Sequence, residues 1–147
     1  MDVEDIEMLG PWTAHIETMD KALASNDAGE SIQAWRRAYS AALSHPSWLG
    51  LFIVATASLR VGTLPSLARS AAAQARETYW IAFFRARQQR SLTGVLRTAE
   101  AFAMLGDRGA AERCVSVAEA LESSAGDAAC AGPADVPIGP DRSPSVG

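Results

Sequence analysis

Lysine is nearly missing from this chain: Lys21 is the only one, beside twelve arginines. The skew fits the codon bias of a GC-rich, bacterial genome better than any one function. Thiols are as scarce. Cys114 and Cys130 stand at a spacing that makes neither a metal site nor a redox pair, and Cys114, inside a helical pattern, reads as a small apolar residue. With only His15 and His45, acid–base work would need a positioned partner that no spacing supplies. His45, ahead of Pro46, instead suits a helix C-terminus, where a cation complements the dipole. Ser66, Ser70 and Ser91 lack the context of a nucleophile elbow, and the glycine-rich material lies in the tail, not in a phosphate loop. No catalytic residue, metal or cofactor is therefore expected. Long hydrophobic runs are also lacking, since Trp48 to Ala57 is too short to cross a bilayer. The first residues, with Asp2, Glu4, Asp5 and Glu7, carry no basic or apolar leader region. A cytoplasmic protein, off the membrane, is the expectation. Alternating apolar and polar residues are absent as well, which leaves no strand candidates.

What the chain does have is alanine, abundant between Ala14 and Ala120, which favours closely packed helices. Its net charge of −4 conceals a segregation. Residues 1–30 carry eight acids against Lys21, and residues 31–113 carry eleven arginines against Glu77, Glu100, Asp107 and Glu112. The remainder is acidic again. An acidic head and tail can attract a basic middle within the chain, or the middle can face a partner. The overall acidity argues against a dedicated nucleic-acid binder.

Apolar spacing at three and four residues predicts six helices and an all-α fold. An acidic lead-in, residues 1–10, ends at Gly10-Pro11. The first helix, Trp12 to Ala24, carries Trp12, Ile16, Met19 and Leu23 on one face. Asp27 with Glu30 is a capping-box pair opening the second, whose stripe is Ile32, Trp35, Ala38, Tyr39 and Ala42 before Pro46 ends it. Ser47 caps a third helix, Trp48 to Val61, apolar on nearly every side and hence central. Gly62 reads as a left-handed stop and Pro65 as a new start. The fourth helix, Pro65 to about Gln89, shows a small-residue stripe of Ala68, Ala72, Ala75, Tyr79, Ala82 and Ala86, fit for close helix contact. A fifth runs from Leu92 or Val95 to Leu105, and a sixth from Arg108 to Leu121 with Asp107 as its cap. Residues 11–122 form the helical domain, and residues 123–147, rich in Ala, Gly, Pro and Ser, are expected to be disordered.

The last helix pair, with Ala99, Phe102, Gly106, Ala111, Val115 and Ala118, resembles a tetratricopeptide (TPR) hairpin, although Ser123 stands where that family has proline. Gly29, Ala34, Ala41 and Pro46 match the second half of another repeat, and Leu51, Ala55, Gly62 and Ala71 match part of a third. Gly29 and Gly62 are 33 residues apart, close to the family period of about 34. Gly62 and Gly106 are 44 apart, and the excess falls in the fourth helix, which either projects or breaks near Glu77. The resemblance implies three antiparallel hairpins in a right-handed TPR-like stack; a compact helical bundle is the alternative.

TPR-like stacks hold other proteins, so the resemblance implies a non-enzymatic adaptor or scaffold. Their first helices line the concave face, which places Phe52, Thr56, Leu59, Arg60, Leu96, Arg97, Glu100 and Met104 beside a bound segment. Arg60 and Arg97 over an apolar floor suit an acidic or C-terminal peptide. A second reading comes from Tyr79, Trp80, Phe83 and Phe84 followed by Arg85, Arg87 and Arg90: arginines beside aromatics clamp phosphates and stack on bases, as in single-strand binders. A helical small-ligand sensor or enzyme, whose pocket sequence alone does not display, is a third. Trp80 and Phe84 on a projecting helix also make a homodimer an expectation.

Overall fold

Four of the six α-helix starts among the described residues are set by side chains that satisfy the free N–H groups of a first turn. Asp27 Oδ1 accepts from Glu30 N (3.1 Å), Ser47 Oγ from Leu49 N (3.1 Å), Ser91 Oγ from Gly94 N (3.0 Å) and Asp107 Oδ1 from Ala110 N (3.1 Å). Each such cap contributes about 1 kcal/mol. The computed structural model describes residues 9–131, without the side chains of 125–131. Most of the acidic lead-in and the end of the tail lie outside the described residues. Among them are six α-helices: α1 Thr13–Ala24, α2 Ala28–Ser44, α3 Trp48–Val61, α4 Ala68–Gln88, α5 Leu92–Met104 and α6 Arg108–Ala131. A 3-10 turn, Pro65–Leu67, leads into α4, and no strand occurs among the described residues. The protein is all-α, as its apolar spacing predicts.

Three of the connections use one device. Asn26, Arg90 and Gly106 have φ of 58°, 54° and 83°, the left-handed region that closes a helix. In each case the next residue's N–H reaches back across the last turn: Asp27 to Ala22 O, Ser91 to Ala86 O and Asp107 to Phe102 O. That same next residue then caps the following helix. One residue thus stops a helix and its neighbour starts another, which keeps α1–α2, α4–α5 and α5–α6 tightly joined. Gly62 departs from expectation. Its φ is −68°, right-handed, because Thr63 and Leu64 continue the turn through bonds to Arg60 O and Val61 O into the 3-10 segment. Gly29 also lies inside α2 and makes no turn.

Packing is most extensive within the pairs α1–α2, α3–α4 and α5–α6, lighter from α2 to α3 and from α4 to α5. The first helices also touch in order, α1 to α3 and α3 to α5. Two apolar clusters result. Trp12, Ile16, Met19, Trp35, Leu51 and Val54 are central to one, and Tyr79, Phe83, Val95, Phe102 and Cys114 to the other. Helix α3 serves both, with Phe52 packed against each cluster, as its all-round apolar surface requires.

Two glycines explain how the first helices approach. A Cβ on Gly50 of α3 would lie 2.5 Å from the Trp12 ring, and one on Gly94 of α5 would lie 2.7 Å from both the Trp48 ring and Ala86 Cβ. Each indole at the start of one first helix therefore covers a glycine near the start of the next. Trp12 and Trp48 are 36 residues apart, Gly50 and Gly94 are 44. The difference is absorbed by α4, which is continuous over 21 residues with no break at Glu77, about 30 Å of helix. Its buried stripe is Ala71, Ala75, Tyr79, Ala82 and Ala86; Ala72 is only half-buried and Ala68 exposed, a shift of one residue from the expected phase that arises where the helix leaves the 3-10 turn. Helix α6 runs ten residues beyond the expected Leu121, to Ala131: the added segment is alanine-rich, and proline, which would stop it, first comes at Pro133.

Gly94→Ala should destabilise the fold by about 1–3 kcal/mol through overpacking, against a helix-propensity gain of under about 1 kcal/mol. Denaturant titration checks this, and a neutral or stabilising result would mean the indole does not rest on α5. Ala75→Leu should cost a similar amount, and Ala72→Leu clearly less.

Candidate functional site

The side chains that chemistry singles out fall in two places, along α3 and α5 and in the C-terminal half of α4. On α3, Thr56 Oγ1 donates to Phe52 O (3.0 Å) and lies 2.7 Å from the Tyr79 hydroxyl. Phe52 packs on Trp48 and Tyr79 with centroids 6.0 and 5.5 Å apart. These two residues thus join α3 to α4. Arg60 is engaged as well: its Nε and Nη2 reach Asp20 Oδ1 and Oδ2 of α1 at 3.0 and 3.3 Å. The pair is half-exposed, so its contribution is about 0–1 kcal/mol, but it neutralises the cation. Here the acidic head does meet the basic middle, as the charge segregation allows.

Helix α5 differs. Leu96 and Met104 are 46% and 85% exposed, large values for apolar side chains. Arg97 is half-exposed and Glu100 exposed, and neither forms an ion pair among the described residues. At 100° per residue the four lie within about a third of the helix circumference. Of the residues expected on one face, Leu96, Arg97, Glu100 and Met104 therefore share an open side of α5.

The arginines of α4 have separate engagements. Arg85 Nη1 donates to Ala42 O (3.2 Å) and His45 O, and Nη2 to Leu43 O (2.7 Å); Gln89 Nε2 adds a bond to Pro46 O (2.6 Å). Arg85 therefore caps the last carbonyls of α2, where a cation also opposes the negative helix end. His45, ahead of Pro46, is extended there. Its Nδ1 accepts from Ser47 N (3.2 Å) and its ring meets Trp12 edge-on at 5.2 Å. Arg87 lies over Phe84, 5.6 Å from the centroid, and Arg90 donates to Ser124 Oγ (3.0 Å). Trp80 and Phe84 stack at 5.8 Å, with Phe84 49% exposed and Trp80 half-buried against Phe102. The capping role of Arg85 had no sequence signal, because its acceptors lie some forty residues away.

Comparison with protein-family models, curated proteins and solved structures finds no match. Fold and site therefore rest on their own geometry. No described helix is long and apolar enough to cross a membrane.

Two buried ionisable groups shape the response to alkali. Burial pushes the Tyr79 hydroxyl above its ordinary 10.0, opposed by the Thr56 contact. Burial likewise raises the Cys114 thiol above 9.0; the Thr98 hydroxyl, 3.9 Å away, opposes this and the Asp107 charge adds to it. Both groups ionise more readily unfolded than folded, so their stabilising effect is complete below pH 9 and is lost as pH rises through 9 and 10 towards the folded values. Urea unfolding at pH 7 and above pH 10 should show this loss, and Cys114→Ala with Tyr79→Phe should flatten it. A wild-type slope in that double variant would exclude these two groups as its source. At neutral pH, Tyr79→Phe should itself cost about 0.5–1.5 kcal/mol for the lost hydrogen bond.

Proposed function

We propose that this chain is a non-enzymatic interaction module that holds a segment of a partner protein against α5, in the manner of a TPR-like stack. The observation that carries the reading is the open side of α5. Leu96 and Met104 are exposed with Arg97 and Glu100 between them, on the helix that takes the first-helix place in the last pair. The serial contact of α1, α3 and α5, stepped by Trp12 on Gly50 and Trp48 on Gly94, supports the repeat character. Arg60, held by Asp20, is a secondary contributor, so Arg97 supplies the leading cation. The partner is a segment with apolar groups flanking an acidic or terminal carboxylate, since such a charge complements Arg97 while the apolar groups cover Leu96 and Met104.

A second reading, single-stranded nucleic acid on α4, is favoured by one observation, the exposed Phe84 stacked on Trp80 beneath Arg87. The withdrawal of Arg85 into the α2 carbonyls removes a third of the cations that reading would use.

Arg97→Ala with Met104→Ser should abolish capture of the partner from the native cell while helicity is kept, and capture by the parent should change little with salt. Arg87→Ala with Phe84→Ser should leave capture intact. Loss of a random single-stranded oligonucleotide in the second variant, with a steep salt dependence, would sink the protein-binding reading in favour of the other.

A further inference from the structure

Helices α2 and α4 do not meet along their whole length. Arg85 of α4 and Gln89, its C-cap, hold the C-terminal end of α2 and the residues just after it through Ala42, Leu43 and Pro46. Towards the other end, where α4 has just left the 3-10 turn, it carries small side chains, Ser70 and Ala71, and the two helices leave a solvent-open cleft of about 540 Å³ including its mouth. Its enclosed part is about 170 Å³, smaller than a drug-sized site and room for one short aliphatic chain.

The chemistry of the cleft is one-sided. Its apolar surface comes from Ile32 and Trp35 of α2, Val61 of α3 and Leu67. The polar groups deepest in it are already bonded: Trp35 Nε1 donates to Val54 O at 2.9 Å and Ser58 Oγ to Ala71 O at 2.9 Å, both buried. The floor therefore offers an apolar body nothing it must desolvate. Ser70 and Gln74 stand with Arg36 in the lining, and Arg36 is the one charged residue there, with no carboxylate beside it. Its surroundings contrast with those of Arg37, Arg60 and Arg76, each within 4 Å of an acid, Glu30, Asp20 and Asp107 respectively. Arg36 makes no ion pair among the described residues.

We propose that this cleft binds a small monocarboxylate with an aliphatic body, of the medium-chain fatty-acid class. The chain lies on Ile32, Val61 and Leu67 against the Trp35 ring, and the carboxylate meets the Arg36 guanidinium, with the Gln74 amide as a neutral donor; the Ser70 hydroxyl is already given to Leu67 O (3.2 Å). The charge decides the class: one cation, no acid and a saturated apolar floor select an anionic amphiphile over a cationic or purely polar one. The site is separate from the α5 surface, and neither proposal depends on the other.

The test is an amide-resolved NMR titration of the full chain with octanoate below its micelle-forming range, alongside octan-1-ol and octylammonium. Expected are saturable shifts centred on Ile32, Arg36, Ser70 and Gln74, and affinity at least tenfold weaker for octylammonium. Arg36→Gln, at an exposed position that leaves the core untouched, should weaken octanoate at least tenfold; Arg37→Gln should not. Absence of saturable binding, equal affinity for octylammonium, an unchanged Kd in Arg36→Gln, or shifts centred on Phe84 or Leu96 instead would each overturn the proposal.

Discussion

Two indole rings seated on two glycines set the distance between successive first helices, and most of the architecture depends on that spacing. Each glycine gives up about 1 kcal/mol of helix propensity relative to alanine. In return a tryptophan ring is covered, Trp12 fully and Trp48 in part, and two helix axes come within reach of each other's small side chains. Because Trp12 covers Gly50 and Trp48 covers Gly94, the N-terminal ends of α1, α3 and α5 are brought into step. Gly94 also abuts Ala86, and Arg85 and Gln89 are tied to α2, so the C-terminal end of α4 is fixed on both sides. The surplus length of α4 has only one direction to go. It overshoots at its N-terminal end, and there the cleft beside α2 opens.

Polar residues in this interior are tolerated because they turn back on the helices. Ser31, Ser58, Thr78 and Thr98 are buried, and each hydroxyl donates to a backbone carbonyl: Ala28, Ala71, Gln74 and Val95 respectively. A buried hydroxyl with its bond made costs little, whereas one left unpaired costs about 1–3 kcal/mol. Their small volume, like that of the many alanines, lets helices approach closely, so the protein gains contact through proximity more than through large side chains.

Much of this was legible in the sequence. Helix α3 begins and ends where its apolar run does, and Asp27, Ser47 and Asp107 announce themselves as caps by type and position. Local signals of that kind survive folding because cap and capped group are two or three residues apart. The phase of α4 was misjudged by one residue at its start, since Ala71 and Ala72 are chemically alike and only the 3-10 turn chooses between them. Asn26 and Arg90 were not expected in left-handed conformations, where glycine is the usual marker, while Gly62 suggested that conformation and lacks it. Gly50 and Gly94 were not singled out, because what approaches them is set by tertiary structure. At the candidate site the same division holds. The exposure of Leu96 and Met104 follows from the local α5 pattern, whereas the ion pair that occupies Arg60 and the carbonyls that occupy Arg85 come from distant parts of the chain.

The clamp of Arg85 and Gln89 on α2 also has a meaning in time. As the chain leaves the ribosome, α1 and α2 can pair as a local hairpin, but the last carbonyls of α2 stay without their donors until some forty further residues have been added. Until then only the local bond from His45 N to Ala42 O closes the end of α2. The N-terminal pair is therefore a unit that synthesis begins and α4 completes, and the helix that carries the surplus length doubles as the latch that closes the first pair.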